Sequence, residues 1–150
     1  MVNRLLSIHN VQGKEGAVVT VTSEILTRKK TVYFHIANKP LKYSRGRSRI
    51  VYIGTTGKGI KRIMGSIGER LDEEFSIHGV NSIEVHEIGC TPRQRVRTWR
   101  KLERASLMVF RDIYGEVPWL NTHGERMKES DEFEYFNSDQ IKKFIRLWES

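Results

Sequence analysis

Apolar and polar residues alternate through Thr31-Val32-Tyr33-Phe34-His35-Ile36. This predicts a strand with Val32, Phe34 and Ile36 on one face and Tyr33 and His35 on the other. Ile50-Val51-Tyr52-Ile53-Gly54 predicts a second strand, and Ser82-Ile83-Glu84-Val85-His86-Glu87-Ile88 a third. Between the first two, Pro40 and Gly46 mark residues 37–49 as a loop. A turn at Thr55-Thr56-Gly57-Lys58-Gly59 leads into a helix over 59–75. There Ile60, Ile63, Met64, Ile67 and Leu71 recur at helical spacing as one buried stripe. Thr91-Pro92-Arg93-Gln94 predicts a helix start, with Thr91 as N-cap, Pro92 in the first position and Gln94 closing a capping box. That helix extends to about Tyr114, and Gly115 stops it. A last helix over 139–148 turns Ile141, Phe144, Ile145 and Trp148 to one side, and residues 17–22 predict a strand in an N-terminal extension. Together these predict an α+β fold, with a small central three-stranded, mostly antiparallel sheet flanked by helices.

A length of 150 residues suits one domain with room for a core. No apolar run approaches the roughly 18 residues of a membrane span, and polar residues break the N-terminal segment too early for a signal peptide. Cys90 stands alone, so neither a disulfide framework nor a cysteine-based zinc site is expected. These features point to a cytoplasmic protein without a membrane partner.

Charge adds a direction. The net charge is +8, but the first 70 residues hold 14 Lys/Arg against three acids, whereas residues 71–150 hold 12 against 15. From Arg28 to Arg62 there are 11 basic residues and no acid. Cations that meet phosphates release condensed counterions, so such a block favours a nucleic-acid partner over a merely solvated face. The candidate contacts are Lys39, Lys42, Arg45, Arg47 and Arg49 in the 37–49 segment, followed by Lys58 and Lys61.

Glu103 demands an explanation on helical geometry alone. Val96, Trp99, Ser106, Leu107, Phe110 and Tyr114 all lie within about 60° of it around the helix. A carboxylate on a mostly apolar face is costly unless paired or bound to metal, so Glu103 reads either as half of a salt bridge or as a metal ligand or catalytic group. Arg62 lies beside an apolar stripe, just after a glycine-bearing turn where phosphate can be held, although a solvated helix cation is the commoner role. Tyr33 and Tyr52, each alone, read as ordinary strand aromatics. Their combination with the rest carries the functional reading.

That combination resembles the GIY-YIG endonuclease family. The first signature appears altered as Thr31-Val32-Tyr33, and the second is intact as Tyr52-Ile53-Gly54, followed by Thr56. Arg62 stands eight residues after Gly54, Leu102-Glu103-Arg104 matches the glutamate-bearing helix, and Pro118-Trp119-Leu120-Asn121 matches the closing element. The resemblance covers about residues 31–122, which leaves 1–30 as an extension and 123–150 as a C-terminal helical tail packed on the same domain. It departs at Thr31, in the long 37–49 segment, and at Ser66, where the family often has histidine.

The resemblance implies a metal-dependent DNA endonuclease acting on double-stranded DNA, with one Mg²⁺ (or Mn²⁺) held by Glu103. It further implies Arg62 on the scissile phosphate, Tyr33 as or beside the general base with its pKa lowered by Arg62 or Lys61, and Tyr52 holding phosphate or nucleophile. Gly54 would leave room for backbone approach and Asn121 would brace the metal side. His35, on the face of Tyr33, is the candidate to replace the missing histidine. Cutting both strands with one site per chain would call for a homodimer or sequential nicking. The alternative from another class is a catalytically inactive nucleic-acid-binding module on the same scaffold, and structured DNA or RNA is a further possible substrate. A P-loop is not expected, because no Gly-Lys-Ser/Thr follows the glycines at 54, 57 and 59.

Overall fold

Residues Thr31 to Ala37 are all buried even though their pattern alternates, because helices cover both faces of the strand that carries them. The computed structural model describes residues 30–150, so the strand expected at 17–22 lies outside the described part. Strands β1 (Thr31–Tyr43), β2 (Gly46–Thr56) and β3 (Ile83–Gly89) form an antiparallel sheet in the order β2-β1-β3. Helices α1 (Ile60–Ser76), α2 (Thr98–Tyr114), α3 (Glu132–Tyr135) and α4 (Ser138–Arg146) complete the α+β arrangement. Among the described residues, no helix is long and apolar enough to cross a membrane.

One face of β1 makes the apolar core. Val32, Phe34 and Ile36 pack with Leu102, Ala105 and Phe110 of α2 and with Ile141 and Ile145 of α4. The Phe34 and Phe144 ring centroids are 4.8 Å apart. Burying side chains of this size stabilises the fold by about 1.5–3 kcal/mol each. The other face meets α1, where His35 Nδ1 bonds to Glu74 Oε1. As expected, β1 sends Tyr33 and His35 away from the Phe34 side.

Three local expectations are corrected. Residues 37–49 are not a loop: β1 and β2 run on through them as a hairpin joined at Ser44-Arg45, with Gly46 at φ 127. Leu41, Tyr43 and Ser48 are buried, and that burial holds the hairpin arms together. Pro40 fits because the register breaks around it, with residues 37–40 of β1 facing Arg49 alone. Val51 is a second insertion, between the pairs His35↔Tyr52 and Ile36↔Ile50.

The capping box at Thr91 does not form. Residues 91–97 make a turn closed by an Arg93↔Val96 bridge with Arg95 at φ 63, and α2 starts after Arg97. Buried Thr98 and the hydroxyl of Thr55, 3.4 Å from the Trp99 carbonyl, fix the first turn of α2 against the end of β2. Tertiary packing outweighs the local signal here. Gly115 does stop the helix, in a left-handed conformation with its N–H on the Arg111 carbonyl at 2.7 Å.

In α1, only Ile63 of the expected stripe is buried. Ile60 and Met64 are exposed, and Ser66 and Glu74 are buried instead. The helix therefore turns a largely polar face to the sheet, which is the face that builds the site.

Candidate active site

Tyr33 and Gly54 are register partners on neighbouring strands, and Tyr52 lies two residues along β2 on the same side. The tyrosine rings converge with centroids 6.1 Å apart. They converge over Gly54 because that residue has no side chain: a Cβ there would lie 2.7 Å from Tyr33 Cζ, 2.8 Å from its hydroxyl and 2.8 Å from Tyr52 Cε1. A methyl group would have to displace both rings, so Gly54 is a geometric requirement of the pair.

Helix α1 supplies the polar side of this centre. Ser66 is buried on the side of α1 turned to the sheet, near enough to Tyr33 to favour the ionised form of that phenol. Arg62, one turn earlier, is exposed and pairs loosely with Glu69 at 3.9 Å. Further along, the guanidinium of Arg70 lies 3.8 Å from the centroid of the Tyr52 ring and donates to the Leu120 carbonyl at 3.4 Å. Such a stacked cation fixes the ring and brings positive charge to its open face.

The tyrosine does not titrate as expected. Burial raises the Tyr33 pKa above the ordinary value of 10, and the opposing pulls of nearby Ser66 and of the more distant Arg62 charge do not reverse this. Tyr33 is therefore a phenol at neutral pH, able to donate a hydrogen bond and poorly suited to remove a proton by itself.

His35 is placed against both tyrosines, with centroids 5.8 Å from Tyr33 and 5.1 Å from Tyr52. It is wholly enclosed and its Nδ1 is committed to Glu74, also wholly enclosed. His35 Nε2 and Glu74 Oε2 have no protein partner among the described residues. The geometry gives His35 a positioning part behind the tyrosines rather than a place at the surface where water arrives.

Asn121 is a strand clamp. Its Oδ1 accepts from Ile53 N at 3.0 Å, its Nδ2 donates to Ile53 O at 2.8 Å, and Leu120 N donates to Val51 O at 3.0 Å. The side-chain amide thus serves as a neighbouring strand for the edge of β2, between Tyr52 and Gly54. Its hydrogen bonds go to backbone, so it braces the tyrosine pair directly.

Glu103 approaches from α2, on the other layer. It lies one turn before Leu107, which packs beside Gly124. Its basic neighbours Lys101 and Arg104 are committed elsewhere, to Asp131 and to Glu132 at 2.6 Å. Among the described residues Glu103 forms no ion pair. Burial pushes its pKa up to about 7, against the pull of Arg100 and Arg104. A salt bridge is therefore not what keeps this carboxyl on its helix face.

The expected nucleic-acid contacts divide into two groups. Lys42, Arg47, Lys58 and Lys61 are exposed, and Lys39 is partly so. Arg45 instead donates to the Arg111 and Asp112 carbonyls at 3.3 and 2.9 Å, at the negative end of α2. Arg49 donates to the Ala37 carbonyl at 2.6 Å and lies over Trp148. The sequence reading missed Arg70, Glu74 and the exposed arginines 93, 95, 97 and 100 around the start of α2. The clue to Arg70 and Glu74 was present: with Ser66 they repeat at four-residue spacing on α1, a polar stripe on the side turned to the sheet.

Tyr33, Tyr52, Gly54 and Ser66 are thus in contact, Asn121 is tied to the residue between Tyr52 and Gly54, and Arg62 lends its charge from the rim. Compared with protein-family models, curated proteins and solved structures, the chain matches none of them.

Proposed function

We propose that the protein is a metal-dependent DNA endonuclease whose cutting site is the Tyr33–Tyr52–Gly54 centre together with Arg62 and Glu103. The observation that carries this reading is the convergence of two tyrosines over a glycine that admits no side chain, beside a basic helix rim. The polar side that α1 presents to the pair, with Ser66 buried and Arg70 stacked on Tyr52, is more than the packing of two aromatics requires.

In this reading Arg62 and the exposed Lys58 and Lys61 draw in the phosphodiester, and Arg62 neutralises charge that builds on it. Tyr33, kept protonated by burial, donates a hydrogen bond to a phosphate oxygen or orients the attacking water. Tyr52, held by Arg70, fixes the other side of the same oxygen cluster. Asn121 and the His35–Glu74 pair keep both tyrosines in place.

Glu103 fits a hard divalent cation such as Mg²⁺ or Mn²⁺. It is an unpaired carboxylate whose charged form needs a nearby positive charge to be favourable at neutral pH. No group of three or more His, Cys, Asp or Glu gathers among the described residues, so the fit is to a largely hydrated ion held jointly with substrate phosphate. When bound, such an ion supplies Lewis-acid stabilisation of the phosphate.

The test is plasmid nicking. Wild-type protein with Mg²⁺ is expected to convert supercoiled DNA to open circles, and chelation stops it. Glu103→Ala is expected to bind DNA but not to nick it. Binding by wild-type protein without any Mg²⁺-dependent nicking would instead support an inactive binding module on this scaffold.

A further inference from the structure

A second feature of the α1 side lies outside the tyrosine centre. The hairpin arms of β1 and β2, the end of α1 and the 118–121 segment enclose a groove of about 570 Å³. Lys39, Lys42, Arg47 and His78 line it, with Glu73 as its acid. Trp119 stands in it half exposed, the largest exposed aromatic side chain of the described residues.

A single exposed aromatic ring needs no explanation by itself; what distinguishes Trp119 is its place in a cationic groove. The ring is also held firmly. Trp119 N lies 3.4 Å from the Tyr43 hydroxyl, its indole packs edge-on to Tyr43 at 6.2 Å, and the next two residues are hydrogen-bonded to β2. A fixed aromatic face beside three cations is the chemistry that binds an unpaired nucleotide strand, by base stacking and phosphate contact. Duplex DNA offers its phosphates but no open base face.

The groove is also in line with the proposed site. Arg47 and Gly54 lie on the same strand, about 20 Å apart at the usual rise per residue. That span corresponds to roughly six stacked nucleotides of one strand, and fewer if extended.

We propose that this groove binds a single-stranded flank of DNA, with Trp119 as the stacking platform and Lys42 and Arg47 on its phosphates. The proposal rests on the nuclease reading for its biological sense. It implies that the preferred substrate is duplex DNA with an unpaired strand near the cut, rather than uniform duplex.

The experiment is binding of a fluorescein-labelled 12-mer oligodeoxythymidine, followed by anisotropy with EDTA present so that no cutting intervenes. Trp119→Ala is expected to weaken binding about tenfold, and Trp119→Phe to restore most of it, which separates stacking from folding damage. Lys42→Ala with Arg47→Ala is expected to lower the slope of log affinity against log salt by about 1.4. A 12-base-pair duplex is expected to bind Trp119→Ala and wild type alike. Equal affinity of wild type, Trp119→Ala and Trp119→Phe for the single strand would overturn the proposal. So would tighter binding of oligouridine than of oligodeoxythymidine, which would make the occupant RNA. Because no step depends on cleavage, a failure to nick plasmid leaves this result standing, and the reverse also holds.

Discussion

The two faces of β1 are built on different terms. On one, Val32, Phe34 and Ile36 disappear into an apolar layer with α2 and α4, and nothing there needs a partner beyond good packing. On the other, Tyr33 and His35 are equally buried, yet they face Ser66, Arg70 and Glu74 across a layer held by a buried His35–Glu74 hydrogen bond and a stacked guanidinium. A strand of this length could have been apolar on both sides at lower cost, since buried polar groups must be compensated. The difference teaches that the α1 face is the costlier of the two to build, a cost that the proposed site would explain.

Breaking the apolar face gives the largest effect on stability. Phe34→Ala is expected to cost about 3–5 kcal/mol in denaturant unfolding, because it leaves a cavity against Phe144. On the polar face, His35→Ala is expected to cost about 3 kcal/mol by stranding Glu74 in the interior. Replacing both together, His35→Leu with Glu74→Leu, is expected to fall within about 1 kcal/mol of the parent. A double variant as unstable as the single one would mean that the pair is a stability device after all.

Glu103 is expected to give a smaller, pH-dependent effect. Its carboxyl rises from an ordinary 4.5 to about 7 in the folded chain, so the folded form holds the proton more tightly. Stability from this group is fully present below about pH 4.5 and is lost as pH climbs through 7. Glu103→Gln should remove that slope and add about 1–2 kcal/mol at pH 8, an amount discounted for partial exposure. Melting curves at pH 5, 6.5 and 8 read this directly, and equal slopes in both proteins would contradict it. The smallest effects separate the hairpin cations. Arg45→Ala is expected to cost about 1 kcal/mol through its helix-end carbonyls, and Lys42→Ala less than about 0.5 kcal/mol.

What could be read from the sequence follows the same division. Periodicity located the strand cores at 31–36 and 50–54 and assigned Phe34 and Tyr33 to opposite faces, because a two-residue repeat survives any environment. It failed where tertiary contacts outvote local preference. The hairpin at 37–49 hides behind Pro40 and its own basic charge, and the capping signal at Thr91 loses to the anchoring of Thr98 and Trp99. The stripe on α1 was misread because apolar Ile60 and Met64 were assumed to face inward, whereas the inward face is the polar one. Tyr33, Tyr52, Gly54 and Arg62 were legible as spacing. The sign of the Tyr33 pKa shift, the clamp made by Asn121 and the commitment of His35 to Glu74 depend on which groups meet in space, and no linear pattern carries that.

The most direct measurement is plasmid nicking by Tyr33→Phe, read beside its unfolding curve. This change removes one hydroxyl from the polar face and leaves the ring that packs against Tyr52 and His35. If the face exists to cut DNA, Mg²⁺-dependent nicking should fall by about 10²-fold or more, while stability stays within about 1 kcal/mol of the parent. Nicking at the parent rate, with stability reduced, would show that Tyr33 serves the fold alone.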